Sequence, residues 1–317
     1  LKIRIAEEKD FDTKVLDFLR QHVEVEIASC KVEDLSNILD TYDVFWFRLG
    51  YKIDQALIAN SKKVKVIATP VTGIDHIDEQ ACADKGIHIA CLRGEYQFLK
   101  EVRATAEHTI ALTFALMRLL GPAMNDTKLG NWNRDQFRGN ELYKKKVGIV
   151  GLGRLGEITA SYFQAFGCDV YYYDIKEIAS KHAQKVNSLS EIAHCDIVSI
   201  HVNYSPQTHH LINASFFEQC NSNMFFINTS RGGIVDEESL LEALTRSKIK
   251  GAALDVIQNE FEFNLQNRLV QYAIHNNHLI ITPHIGGNTL ESFEKTEMFI
   301  AKKVLSMLGI TPVNHSN

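Results

Sequence analysis

The sequence predicts an α/β protein built from two doubly wound parallel-sheet domains, and three observations carry that reading. Its 317 residues exceed an ordinary single domain, so two domains are expected. Short apolar runs alternate with helical patterns along most of the chain, the pattern of parallel strands covered by helices. The stretch 147–174, VGIVGLGRLGEITASYFQAFGCDVYYYD, reads as strand, glycine turn, helix and a second strand that ends in an acid.

Composition narrows the function. With 45% hydrophobic and 23% charged residues the chain has ample material for a core. A net charge of −5, with basic runs no longer than Lys144-Lys145-Lys146, argues against a nucleic-acid binder. The longest apolar stretch, 109–117, is too short to span a bilayer, so no membrane partner is expected. Residues 1–5 read as a charged strand without a signal-peptide core, and the expected location is cytoplasmic. The six cysteines are scattered with no CxxC pair, which suits reduced thiols and no metal framework.

Taken in order, strands are expected at 2–6, 23–28, 44–49, 64–68 and 87–91, with helices at 11–22, 55–60 and 79–85. The strand before 69–78, TPVTGIDHID, ends in a turn whose backbone N–H groups could meet an anion. Alone, it is read more simply as a helix start capped by Asp75 or Asp78. A long apolar helix over 104–120 is expected to end at Gly121-Pro122, followed by a less regular stretch over 125–142 with Trp132 and Phe137. Beyond the glycine turn, strands are expected at 197–202, 224–228, 251–256 and 279–281. The last helix, 290–308, suggests a return to the first domain. The division is therefore 1–101 plus 289–317 against 102–288, with a cleft between.

Each residue type in the glycine stretch has a mechanical reason. Gly151 allows a tight turn, Gly153 lets a pyrophosphate approach the backbone, and Gly156 lets the helix pack on the strand. The N–H groups and dipole of the helix start would face the phosphates. Asp174, about twenty residues on, can accept from both ribose hydroxyls and would repel a 2′-phosphate, which favours NAD over NADP. This is a Rossmann-like dinucleotide site.

Three further stretches follow strands of the same half. Asn228-Thr229-Ser230-Arg231-Gly232-Gly233 offers a guanidinium that could grip a carboxylate. Residues 254–260 place Asp255 at a strand end and Glu260 five residues on. Thr282-Pro283-His284-Ile285-Gly286-Gly287 holds a histidine between a proline and a glycine pair. Singly, each is better explained by a helix entry, a solvated acid or a structural histidine. Together they supply an anion-binding cation, a carboxylate and a proton-transfer group, the set that reversible hydride transfer to a 2-keto acid requires.

Over roughly 67–289 the chain also resembles the D-isomer-specific 2-hydroxyacid dehydrogenases, through ATPVTGIDHID, AEHTIAL, GIVGLGRLG, NTSRGGIVDEESLLEAL, GAALDV and ITPHIGG in that order. The resemblance implies that Arg231 holds the substrate carboxylate and that His284 is the acid/base, oriented by Glu260. It implies that Asp255 accepts from the nicotinamide carboxamide and that Arg154 and Leu155 give backbone donors to the pyrophosphate. Val202, Thr208, Thr229 and Gly286 match positions lining the cofactor, and Thr72 and Gly73 match the substrate-carboxylate loop. The 102–288 domain would then bind NAD and the other domain the substrate. The family is usually dimeric through its nucleotide domains, a use that the 104–120 helix and the Trp132 region fit.

Three departures stand out. Phe261-Glu262-Phe263 follows Glu260 where a proline is common, making Glu262 a rival, though spacing from Asp255 favours Glu260. Val71 stands where a glycine is frequent. Residues 92–103, LRGEYQFLKEVR, form a long segment with Arg93, Glu95, Lys100 and Arg103, either a solvated loop or a reader of a larger or additionally anionic substrate. Two other functions share the fold. A formate-type dehydrogenase would carry glutamine at Glu260, and a non-catalytic NAD-sensing corepressor or scaffold could keep all three residues.

Overall fold

The structure, a computed structural model, describes residues 1–311. It divides into two units, Leu1–Val102 with the described part of Asn288–Asn317, and Arg103–Gly287.

Among the described residues the first unit contains five parallel strands: β1 (Lys2–Ile5), β2 (Glu24–Ile27), β3 (Val44–Trp46), β4 (Val66–Ala68) and β5 (His88–Ala90), in the order β2-β1-β3-β4-β5. That is the flavodoxin-like doubly wound arrangement, in which chain order reverses between β1 and β3. Every residue of β3 and β4 is buried, as expected of central strands with helices on both faces. Aspartates start three of its helices: Asp12 accepts from the N–H groups of Lys14 and Val15, Asp54 from Leu57, and Asp78 from Ala81. Asp78 is thus the cap, and the helix it starts runs Glu79–Asp84.

The helix Leu290–Met307 belongs to this unit, where Ile300, Ala301, Val304 and Leu305 pack with Ile3, Ile5, Trp46 and Val66. It also delivers Glu297, which is fully buried. Its Oε1 accepts from Arg48 Nε at 3.1 Å and Nη2 at 2.6 Å, and its Oε2 from the Asp12 N–H at 3.0 Å. Burial pushes the Glu297 carboxyl above the usual range, while Asp12 and Arg48 pull the other way.

The second unit holds seven parallel strands: β6 (Lys146–Val150), β7 (Asp169–Tyr173), β8 (Gln184–Lys185), β9 (Ile197–Ile200), β10 (Phe225–Asn228), β11 (Gly251–Leu254) and β12 (Leu279–Ile281). Their order is β12-β11-β10-β9-β6-β7-β8, so chain order reverses between β6 and β9. β9, β10 and β11 are buried at every residue. Both sheets are wholly parallel, which agrees with the fold class read from the sequence.

Several helix boundaries differ from expectation: 11–22 is Thr13–Arg20, 79–85 is Glu79–Asp84, Leu35–Thr41 is an additional helix, and the largest change is in the apolar helix. The apolar helix runs Ala104–Met117 and breaks at Leu119, whose φ is +54°. Gly121-Pro122 does not end it but lies in the first turn of the next helix, Leu120–Lys128. Proline is tolerated there because the N–H it lacks would have had no intrahelical partner. Among the described residues no helix is long and apolar enough to cross a membrane.

The Arg48–Glu297 pair gives a stability test. Arg48→Met would leave the Glu297 charge buried without its cation, and should destabilise the first unit by about 3–5 kcal/mol in denaturant unfolding. Adding Glu297→Leu should recover much of that loss, because two apolar groups replace two desolvated charges. Equal losses in the single and double variants would show that the pair does not act as a unit.

Candidate functional site

The dinucleotide cradle lies where the order of the larger sheet reverses, the place where open α/β sheets bind ligands. Gly151 has φ +89°, and its N–H bonds the Tyr173 carbonyl at 2.8 Å. A Cβ there would lie 2.6 Å from Val202 Cγ1 and 2.9 Å from the His201 carbonyl carbon, so only glycine fits. At Gly156 a Cβ would meet the Gly151 oxygen at 2.2 Å, which shows how closely the helix Arg154–Ala165 packs on its strand. Gly153 is the opposite case. It has nothing within 4 Å of a Cβ position and starts that helix with no side-chain cap. Without such a cap, the N–H groups of the helix start are of the kind that bind a phosphate.

Asp174 stands just beyond β7, half-buried. Its Oδ2 accepts from the Leu152 N–H at 2.9 Å, and its Oδ1 from the Lys176 N–H at 2.9 Å. The acid is thus fastened to the glycine turn itself. Arg154 and Leu155 open the helix and are half-buried, and burial lowers the Arg154 pKa. Val202 touches the glycine turn, and its carbonyl accepts from the Ser230 hydroxyl. Thr208 closes the turn after β9 by donating to the Asn203 carbonyl at 2.7 Å. The set fits a dinucleotide, with the glycine turn, the helix start and an acid whose carboxylate is bonded to the turn.

The carboxyl ends of β10, β11 and β12 carry the other candidates. Arg231 follows β10 and is half-buried, its Nη1 donating to the Ser230 carbonyl at 2.9 Å. Asn228 shapes that loop by accepting from the Ser230 N–H at 3.0 Å and donating to the Arg231 carbonyl at 3.0 Å. Gly232 is obligatory, because a Cβ would fall 2.0 Å from the Ile257 carbonyl carbon. Thr229 is buried, and its hydroxyl lies 2.8 Å from that of Thr109.

His284 and Glu260 meet. His284 Nδ1 is 2.7 Å from Glu260 Oε1, with the two side chains 22% and 28% exposed. Glu262, the rival acid, is exposed and lies in the same 3-10 turn, Glu260–Glu262, while it is Glu260 that meets the histidine. Both partners depend on left-handed backbone, since φ is +51° at Asn259 and +54° at His284.

Asp255 is only 1% exposed and holds the turn that carries His284. Its Oδ1 accepts from Thr282 Oγ1 at 2.6 Å and the Ile285 N–H at 2.9 Å, and its Oδ2 from the Gly286 N–H at 2.7 Å. Burial alone would raise its pKa, but the His108, Thr282 and backbone hydrogen bonds outweigh it and hold the carboxyl below the usual range. A Cβ on Gly286 would lie 2.9 Å from Asp255 Oδ2, so the turn closes only on glycine.

In the first unit, Thr72 and Gly73 lie in the turn after β4, exposed and half-buried respectively. The 92–103 segment starts beside that turn, the Leu92 N–H donating to the Val71 carbonyl at 2.9 Å. Arg93 pairs with both oxygens of Glu79, and Glu95 takes Lys303 at 2.6 Å. Phe98 stacks on Phe299 at 4.2 Å. The segment is thus fastened along its length; Arg93, Lys100 and Arg103 are all exposed, Arg93 paired with Glu79 and Lys100 donating to Gln97 Oε1 at 3.0 Å.

Sequence reasoning gave no role to His108, Thr109 or Gln258. The first two lie in the AEHTIAL run, whose polar pair in an apolar helix was the available signal. Gln258 donates from its side chain to the Val235 carbonyl at 2.6 Å and from its backbone to Glu237 Oε1 at 2.5 Å.

Comparison with known proteins agrees with this geometry. Residues 110–286 match the family profile described as D-isomer specific 2-hydroxyacid dehydrogenase, NAD binding domain. The chain is 33% identical over 300 residues to the D-3-phosphoglycerate dehydrogenase of Methanocaldococcus jannaschii, covering 92% of this chain and 55% of that one. It spans about half the length of the D-3-phosphoglycerate dehydrogenases that it matches. Against the hydroxypyruvate reductase of Thermotoga maritima it is 28% identical, with 98% of this chain and 99% of the other covered. The solved D-lactate dehydrogenase of Aquifex aeolicus, complexed with NAD and lactic acid, superposes with a TM-score of 0.85 at 27% identity, over 98% and 96% of the two chains. The chain belongs to the D-isomer specific 2-hydroxyacid dehydrogenase family, and residues 110–286 are its NAD-binding portion.

Proposed function

We propose that the protein is a NAD-dependent oxidoreductase interconverting a 2-keto acid and a D-2-hydroxy acid. The observation that carries the reading is the 2.7 Å bond between His284 Nδ1 and Glu260, in the same sheet edge as Arg231. An ionised carboxylate can only accept, so Glu260 selects the tautomer with a proton on Nδ1. That leaves Nε2 as the atom that exchanges a proton with substrate. When bound, the nicotinamide supplies or receives the hydride. In reduction Nε2–H donates to the carbonyl oxygen as negative charge builds there, and in oxidation neutral Nε2 takes the hydroxyl proton. Glu260 balances the imidazolium in either direction. Arg231 would fix the carboxylate through its planar fork, and Thr72 and Gly73 are the proposed substrate-loop residues. Lys100 and Arg103 would meet a second anionic group on the substrate.

A panel of 2-keto acids with NADH tests the reaction. Turnover of at least one is expected. His284→Ala should lower its kcat by on the order of 100-fold or more, the usual worth of a proton-transfer group. Replacing Lys100 and Arg103 by alanine should raise KM for a phosphorylated or dicarboxylic member and spare pyruvate and glyoxylate. No turnover across the panel would favour a sensor or scaffold, and near-normal reduction by His284→Ala would remove that residue from the mechanism.

Asp174 is proposed to set cofactor choice. Its position against the glycine turn supports acceptance from the ribose hydroxyls and repulsion of a 2′-phosphate. Fluorescence titration should show NADH binding tighter than NADPH, and Asp174→Ala should narrow the gap, chiefly by weakening NADH. Equal affinities in the unaltered protein would dismiss the assignment.

The likeness to the family extends to a proposed homodimer. Leu120, Met124, Leu129 and Trp132 are 44%, 59%, 80% and 86% exposed along and after one helix, a density of bare apolar side chains that supports this reading. Sedimentation should give the mass of two chains, reduced to one by Trp132→Asp. A single-chain mass for the unaltered protein would end this reading.

A further inference from the structure

The apolar helix Ala104–Met117 carries one histidine, His108, and it lies under the turn that holds the proton-transfer group. Its Nε2 is 3.2 Å from Asp255 Oδ1 and 3.1 Å from Thr282 Oγ1, while Thr282 Oγ1 donates to the same Asp255 oxygen at 2.6 Å. Only one assignment of protons satisfies this triangle. Thr282 gives its hydroxyl proton to Asp255, so its oxygen can accept from Nε2–H, and the carboxylate can accept from Nε2–H as well. With the proton on Nδ1 alone, a bare Nε2 lone pair would face the carboxylate, and Thr282 could satisfy only one of the two. Asp255 therefore selects the Nε2–H form of His108, as Glu260 selects the Nδ1–H form of His284.

From Asp255 the chain of contacts continues to the functional residue. The same carboxylate accepts from the N–H groups of Ile285 and Gly286, and the Asp255 carbonyl accepts from the His284 N–H at 2.8 Å. These bonds hold His284 at φ +54°, a backbone conformation that a residue with a side chain leaves unless the surroundings fix it. Helix packing reinforces them, since a Cβ on Gly286 would also come within 3.2 Å of Thr105 and 3.7 Å of His108.

We propose that His108 is a positioning residue for the reaction: it fixes the Asp255 carboxylate, and through it the 284–286 turn, so that His284 is presented in the geometry that proton transfer needs. It does not touch the reacting atoms. The proposal rests on the acid/base reading of His284, and one arm of its test does not depend on that reading.

His108→Leu removes the donor and keeps an apolar volume, and His108→Gln keeps an N–H near the Nε2 position. For the keto acid that the unaltered enzyme turns over, His108→Leu should lower kcat by on the order of 100-fold, the loss expected when a reacting group is misplaced by about an ångström. KM should stay near its original value, because Arg231 is held by a different loop. His108→Gln should restore most of kcat. Amide hydrogen exchange over 282–287 should speed up in His108→Leu and return toward normal in His108→Gln, whether or not a substrate is known. If His108→Leu does not fold, Thr282→Val removes the bridging hydroxyl and is read in the same way. Unchanged kcat and exchange in His108→Leu would overturn the proposal, as would a kcat loss that the glutamine does not rescue. An unaltered protein without turnover would instead count against the acid/base reading, and the exchange rates alone would then decide the role of His108.

Discussion

A carboxylate cannot be left in a protein interior without partners, and the chemistry-bearing edge of the larger sheet is arranged around that constraint at Asp255. Its two oxygens collect a hydroxyl, two backbone N–H groups and an imidazole. Those donors come from the end of β12, the following turn and the helix Ala104–Met117. Satisfying one buried charge therefore joins three elements that are far apart in sequence. The contrast with Glu297 in the smaller unit is instructive. Glu297 has an arginine and one N–H, yet burial still prevails and its pKa goes up, whereas the more numerous donors at Asp255 bring its pKa down. Asp255 is held as an anion, and an anion keeps its donors.

The strain in the site follows from the same arrangement. Asn259 and His284 both adopt positive φ, which costs a residue with a Cβ on the order of 1 kcal/mol. Asparagine tolerates that conformation readily. Histidine does so less well, and the bonds from its N–H to the Asp255 and Thr282 carbonyls are what keep it there. The two left-handed residues bring Glu260 and His284 to 2.7 Å although they come from different loops. Strain of this sort is informative because it sits at the paired residues and is opposed by identifiable bonds.

Much of this was legible in the sequence. Alternating strands and helices gave both sheets, and the spacing of Gly151, Gly153, Gly156 and Asp174 marked the point where chain order reverses. Glu260 was separable from Glu262 only by its spacing from Asp255, and the structure pairs it with His284. What stayed hidden was long-range. The break at Leu119 is a backbone conformation, and a Gly-Pro pair two residues later looked like the stronger stop signal. His108 read as one polar residue in an apolar helix, since nothing local says that Asp255 lies beneath it. Arg93 and Glu95 looked available for ligand, but the residues that engage them, Glu79 and Lys303, are distant in sequence for Glu95 and lie on another helix for Arg93.

Backbone contact, rather than side-chain contact, sets the spacing between the loop of Arg231 and the loop of Glu260. At Gly232 a Cβ would fall 2.0 Å from the Ile257 carbonyl carbon, so the two main chains lie closer than any side chain would permit. Gln258, the next residue, bonds back to Val235 and Glu237 on the far side of that glycine. Burial raises the pKa of Glu237, which its bond to the Gln258 N–H partly offsets. Arg231 and Glu260 are thus fixed to each other, while Asp255 fixes His284 to the strand from which Glu260 departs. The three side chains are held within one unit by main-chain contact at Gly232 together with the side-chain bonds of Gln258 and Asp255.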